Sequence, residues 1–449
     1  ISYEKGIPMD YSEKIGVKVP QVLLAGKSVD LARWAVIACD QFTSQPEYWE
    51  RVSAYVGDAP STLRMILPEV WLHSPDVQER ITATQKTMRQ YLSEGIFEAH
   101  DGFILVEREH SGQTQTGLMV ALDLETYDYN KGSQTLIRAT EGTILDRLPP
   151  RMQVRRGAPL ELPHILVLYD DPEFRVLKDV LEAKARLPLC YEFELMLGSG
   201  HLQGRLVAET ALIDSVLSGL HALIESEAFA SKYELPGGAP PLLFAMGDGN
   251  HSLATAKAIW EELKPSVGMD HPARYALVEI VNLHDPAIIF EAIHRVLFNV
   301  QADFLQQLEN AYAPDIQFSC GLTFEQLREA VLTQDAHEQK IGCILGSDLV
   351  LIELTRPSHN LPVGSLQEYL DKYLASHTET RIDYVHGDDT VQDLGSQAGN
   401  IGFFLPPISK DSFFKTVILD GALPRKTFSM GHAKDKRFYM ECRRISRES

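Results

Sequence analysis

The chain has 449 residues, enough for two or three ordinary domains, and its 44% hydrophobic and 23% charged residues are the balance of a globular protein with a sizeable core. Its 42 basic and 62 acidic side chains leave a formal charge of −20, which disfavours general binding to nucleic acid or anionic membrane but allows a local anion site. Cys39, Cys190, Cys320, Cys343 and Cys442 are scattered, odd in number and without C-x-x-C spacing, which excludes a disulfide framework or structural zinc and points to a reduced, cytoplasmic compartment. No apolar run reaches the ~18 residues of a membrane span, and residues 1–10 lack the apolar stretch of a signal peptide.

In chain order, Ser74-Pro75 predicts a helix start, with Val77, Ile81, Met88 and Leu92 on one face and Gly95 as the stop. Strands are expected over 103–107 and 117–124. The Arg- and Pro-rich stretch 138–163 reads as an ordered loop, and a buried strand follows over 165–169. Leu212, Val216, Leu220 and Leu223 mark a helix over 208–225. The short apolar run 242–246 reads as a buried strand, 247–250 as a turn and 252–263 as an amphipathic helix. Another strand covers 275–281. Downstream, helices are expected over 301–312, 324–332, 366–374 and 410–418. A hairpin is expected over 341–354, with strands over 401–405 and 438–443. Strands alternate irregularly with helices, so the fold class is α/β (α+β), a mixed sheet with packed helices. The expected regions are 1–165, 166–300 and 301–449.

The strand–turn–helix unit around Gly247, Asp248, Gly249, Asn250, His251 and Ser252 carries the best candidate chemistry. Glycines let a ligand approach the backbone, and the first N–H groups of a helix point outward without intrahelical partners. Asp248 is suited to a metal or a hydroxyl, and His251 to a phosphate oxygen or a proton. The same residues also serve as ordinary turn and cap residues. A second cluster, Arg147, Arg151, Arg155 and Arg156 with Arg138 nearby and Glu141 and Asp146 among them, can neutralise phosphate or, as a solvated loop, pair with surface carboxylates. Gly26-Lys27-Ser28 fails as a P-loop because Gln21 stands where the first glycine is required. Cys39-Asp40 ends an apolar run and is either a buried thiol or a nucleophile. His294-Arg295 is either a core-edge pair or part of the same cleft.

Taken together, Ala38 to Thr43, Leu63 to Glu69, Glu141 to Arg151, Gly247 to Lys257, Val278 to Arg295 and Leu423 to Phe428 resemble, in order and spacing, the domain-of-unknown-function family 1015. That family is similar to the free-serine kinases and, more remotely, to the ParB and sulfiredoxin superfamily, which implies a ParB/sulfiredoxin-like core with additional elements. The shared signature is an Asp-Gly-His-His-Arg box at a strand-to-helix turn, which in the kinases handles nucleotide phosphates. Asp248, Gly249 and His251 match it, whereas Asn250 and Ser252 depart from it. Loss of the box arginine removes a bidentate phosphate partner, a role open to an arginine of the 147–156 loop (Arg147, Arg151, Arg155 or Arg156) or to Arg295. The kinases' activating carboxylate has no residue-level match; Glu69, Glu141 and Asp146 are the candidates, and Asp40 is a further candidate site residue without an assigned role.

The resemblance implies a nucleotide-dependent phosphotransferase acting on a small hydroxylated metabolite such as free serine, with ATP or ADP and Mg²⁺ at the box. Asp248 and His251 would be catalytic and Asp248 the metal ligand. Gly247, Gly249, Asn250, Ser252, Arg147, Arg151, His294, Arg295 and Lys426 would surround the phosphates. The alternative is a nucleotide- or metabolite-binding regulatory protein without turnover; redox chemistry as in sulfiredoxin lacks a box cysteine. A small-molecule partner is expected, without a membrane, and a homodimer is compatible with the sequence.

Overall fold

The structure is a computed structural model and describes residues 11–110, 112–130, 132–333, 338–424, 426–430 and 436–447. Arg425, inside the Leu423–Phe428 segment, lies outside the described residues, as do residues 1–10. The chain forms two compact units, one of residues 1–288 with 432–449 and one of residues 289–431.

The larger unit is built on a ten-stranded mixed sheet. Across the sheet the strands run Leu189–Glu194, His201–Val207, Phe103–His110, Gln113–Asp123, Tyr275–Asn282, Leu166–Tyr169, Phe244–Asp248, Ile137–Arg138 and Tyr127–Asp128, and Val17–Lys18 pairs with Gln113–Asp123. Elements from both sides of position 165 therefore share one sheet. Leu166–Tyr169 is parallel to Tyr275–Asn282 and antiparallel to Phe244–Asp248, which in turn is parallel to Ile137–Arg138. Being central and covered on both faces, these strands are apolar runs rather than alternating ones: all four residues of Leu166–Tyr169 are buried. Val167, Tyr169, Phe244, Met246, Val278 and Ile280 pack with Leu253, Ala256 and Trp260 of the helix Asn250–Val267 in one core. That helix follows Phe244–Asp248 directly, so the sheet core fixes where its first turn points.

Three expectations are corrected. The helix expected after Ser74-Pro75 runs Val77–Ser93, preceded by a helix the sequence reading did not place, Pro46–Val56; Ser74 does not cap Val77–Ser93 but donates from Oγ to the Trp71 carbonyl. The stretch 138–163 is not all loop, since it contains a helix, Leu148–Arg155, with proline in its first turn, where the ring's fixed φ suits a helix start and no N–H is missed. The C-terminal strand divides into Phe438–Tyr439 and Arg443–Arg444, because the Glu441 side chain between them turns inward to the buried Arg437.

The smaller unit has a six-stranded antiparallel sheet in the order Ile316–Cys320, Asp348–Leu354, Gln339–Leu345, Asn400–Phe404, His294–Phe298, Arg381–Val385. Val296, Ile344, Phe404, Leu327, Val331 and Val391 form one of its cores. Among the described residues no helix is long and apolar enough to cross a membrane.

Candidate functional site

Gly249 makes the turn between strand and helix. Its backbone is left-handed, φ +76°, and a Cβ there would lie 3.0 Å from the Cα of Ile165. Only glycine meets both conditions at little cost. The Gly249 carbonyl accepts from the N–H groups of Ser252 and Leu253. The N–H groups of Asn250 and His251 thus have no partner within the helix, and no side chain caps this end among the described residues.

The box side chains divide in two directions. Asp248 Oδ1 accepts from the Gly249 N–H at 2.9 Å, and Oδ2 lies 3.0 Å from Lys436 Nζ. Burial alone would push this carboxyl up; the Lys436 ammonium outweighs it, with help from His164, and holds the carboxyl below its ordinary range. Ser252 Oγ is 3.0 Å from His164 Nε2, whose Nδ1 is 2.7 Å from the Tyr439 hydroxyl. Tyr439 also accepts from the Cys39 N–H, and Asp40 Oδ2 is 3.6 Å from His164 Nε2.

His251 faces the arginines. Burial first, then Arg151 and Arg147, push its imidazole down to about 4 against a smaller opposing effect of Asp40, so the ring is neutral near pH 7. Its Nε2 is buried and has no hydrogen-bond partner among the described residues, and the same holds for Asn250 Oδ1. Asn250 Nδ2 donates to the Glu141 carbonyl and, at 3.4 Å, to Thr143 Oγ1, fastening the helix start to the 141–143 segment. Buried polar atoms are seldom left unsatisfied, so two of them at one uncapped helix start need a partner that the described chain does not provide.

The structure therefore brings Asp40, Glu69, Glu141, Arg147, Arg151, Gly247, Asp248, Gly249, Asn250, His251 and Ser252 into one neighbourhood. Their states differ. Arg151 gives Nε and Nη2 to the two oxygens of Glu69, at 2.8 and 2.6 Å, and Nη1 to the Arg147 carbonyl. This fork closes Glu69 as a free carboxylate. Arg147 and Asp146 are exposed on a 3-10 turn. Arg155 pairs with the buried Glu161 and Arg156 with Glu262. Arg138 is buried and donates to the carbonyls of Thr135, Pro240 and Pro241.

Other expectations are corrected. Asp248 was expected to hold Mg²⁺, but both its oxygens are engaged, one by an ammonium that repels a second cation. Among the described residues no three His, Cys, Asp or Glu side chains gather to hold a metal. The residues do not fit a protein-held Mg²⁺. His294 and Arg295 belong to the core of the smaller unit. Arg295 is 0% exposed, donates from Nε to Gln367 and from Nη1 to the Ile293 carbonyl, and stacks over Tyr384. His294 Nδ1 accepts from the Leu405 N–H. Donors turned inward in this way cannot reach a ligand. Lys426, also in that unit, is exposed with φ +58°.

Sequence reasoning missed His164, Lys436 and Tyr439. The last two arrive on the C-terminal segment, which Arg437 anchors by pairing with the buried Glu279 and Glu441, while Tyr191 donates to Glu441. The signal available was Lys436-Arg437 preceding an apolar pair. His164 stands between Pro163 and the strand beginning at Leu166.

The family model described as "Protein of unknown function (DUF1015)" matches residues 24–373. No curated protein matches. Among solved structures, the chain is similar to a free serine kinase mutant in complex with ADP, at 9% identity over 72% of this chain and 91% of that one, TM-score 0.39. A conserved hypothetical protein from Pyrococcus furiosus matches at 10% identity over 73% and 95%, TM-score 0.36. SbnI from Staphylococcus aureus matches at 11% over 61% and 83%, TM-score 0.26. With its match over most of the chain, this protein belongs to the DUF1015 family.

Proposed function

We propose that the chain is a nucleotide-dependent phosphotransferase whose phosphate site is the first turn of the helix Asn250–Val267. The observation that carries this reading is the uncapped helix start, where the unpartnered His251 Nε2 is buried and the ring feels the charges of Arg151 and Arg147. Helix N–H groups, a neutral imidazole able to donate one N–H, and nearby cations together suit a phosphate oxyanion. Arg147 supplies an exposed guanidinium, whereas the Lys436 charge is matched by Asp248.

Phosphoryl transfer needs charge neutralisation and positioning more than covalent chemistry. The acceptor hydroxyl oxygen attacks the terminal phosphorus, the bond from phosphorus to the leaving nucleotide oxygen breaks, and the hydroxyl proton passes to a carboxylate. Glu69 is closed by Arg151 and Asp248 by Lys436. Asp40 is the better proton acceptor, because among the described residues no arginine or lysine pairs with it: Oδ1 accepts from Gln41 Nε2 at 3.0 Å and Oδ2 stands 3.6 Å from His164 Nε2.

The kinase resemblance of the box makes ATP and ADP the donors to test, with free serine and neutral alcohols compared as acceptors. The full chain is incubated with either nucleotide and L-serine or neutral alcohols, and phosphate ester formation is followed by ³¹P NMR. Turnover that disappears in Asp40→Asn supports the reading. Nucleotide binding without turnover on any acceptor would assign the chain to the non-catalytic, nucleotide-binding alternative.

A further inference from the structure

A cavity of about 150 Å³ opens beneath the first turn of the same helix, with Ser252, His164 and Tyr439 on its wall. Most of the remaining wall is apolar, including Met65, Leu67, Met88, Leu160, Leu162 and Leu277. Its charged groups are matched to one another. Arg151 holds both oxygens of Glu69. Glu161 lies between Arg155, at 2.7 Å, and Arg443, and also accepts from the Leu277 N–H. An entering ammonium or carboxylate would have to displace one of these partners and leave its counterpart buried and unpaired.

The uncharged part of the polar wall is of another kind. Ser252 Oγ, His164 and the Tyr439 hydroxyl form a continuous hydrogen-bonded row, with contacts of 3.0 and 2.7 Å, that can both donate and accept. Such a row suits a single hydroxyl. It also places that hydroxyl at the helix start, beside the Asp40 carboxylate.

We propose that this cavity holds the acceptor, and that the acceptor is a neutral alcohol with a compact apolar body rather than a zwitterionic amino acid. The assignment of an acceptor rests on the phosphotransferase reading; the assignment of the ligand class rests on the cavity wall alone. An apolar cavity of about 150 Å³ admits a benzene-sized body, so benzyl alcohol is a suitable probe.

Ligand-observed NMR on the full chain tests this with benzyl alcohol, toluene and L-serine, alongside a parallel titration with ADP. Benzyl alcohol should bind saturably. Val154→Phe, which fills the cavity from its wall, should weaken that binding at least about tenfold while ADP binding stays unchanged. Ser252→Ala, which removes volume and so cannot overpack, should weaken benzyl alcohol about fivefold and leave toluene unchanged. Displacement of benzyl alcohol by L-serine, no saturable binding, or equal affinity in both variants would overturn the proposal. Benzyl alcohol binding as expected without any ADP binding would remove the phosphotransferase reading and leave the cavity assignment standing.

Discussion

Two histidines in different units have the same displaced titration, and they differ in what surrounds them. His251 and His294 are both pushed down to about 4, burial being the largest cause in each. For His294 the rest is internal: Nδ1 accepts from Leu405, the ring stacks on Phe404 with centroids 4.7 Å apart, and Asp388 opposes the downward effect of Arg295 and His386. For His251 the further causes are two arginines of the 145–155 segment, and Nε2 has no partner among the described residues. A displaced pKa alone does not mark a site; a displaced pKa with an unsatisfied atom and nearby cations does.

The largest effect that sharpens this contrast is expected at Arg295. Arg295→Ala leaves the Gln367 side chain and the Ile293 carbonyl without their donor and empties a fully buried volume, so unfolding free energy should fall by about 3 kcal/mol or more. Denaturant titration reads this directly. A loss under about 1 kcal/mol would show that Arg295 is not the core residue described.

Acid should cost nearly as much. His294 binds its proton near pH 4 in the folded chain and near 6.5 in the unfolded one, so between these values the unfolded chain holds more protons. Its contribution, about 3 kcal/mol, is complete above pH 6.5 and is lost as pH falls towards 4. The histidines separate when phosphate is added: titration of ring resonances should show His251 moving upward beside the anion and His294 unmoved. Equal responses would break the comparison.

Gly249→Ala should cost about 1–3 kcal/mol, since φ +76° and the 3.0 Å approach to Ile165 both oppose a Cβ. A neutral result would mean that the turn relaxes easily and does not aim the helix start.

How legible this was in the sequence depended on whether the deciding partner is local. The run from Leu242 to Leu263 declares strand, turn and helix by its own pattern, and the structure has each within a few residues, the strand as Phe244–Asp248 and the helix as Asn250–Val267. The helix Leu148–Arg155 was hidden because its prolines and arginines resemble a loop, whereas proline is well placed in a first turn. The ends of Phe103–His110 and Gln113–Asp123 extend beyond their apolar cores because ladder pairing, not hydropathy, carries them. The long-range partners could not be read at all. Lys436 meets Asp248 across nearly two hundred residues, and that single ammonium reverses the expected metal-binding role. In the same way, the pairing of Arg151 with Glu69 withdraws two candidates that looked equally available on paper.

If the start of the helix Asn250–Val267 is a phosphate site served by His251 and Arg147, ADP affinity must depend on both side chains. Isothermal titration of ADP into the wild type, His251→Ala and Arg147→Ala tests it most directly. The wild type should bind. His251→Ala should lose about 1.5–3 kcal/mol of affinity, tenfold or more, as expected for a hydrogen bond to a charged group. Arg147→Ala should also weaken binding while changing stability by less than about 0.5 kcal/mol, its side chain being exposed. Unchanged affinity in both variants, or no ADP binding by the wild type, would contradict the account.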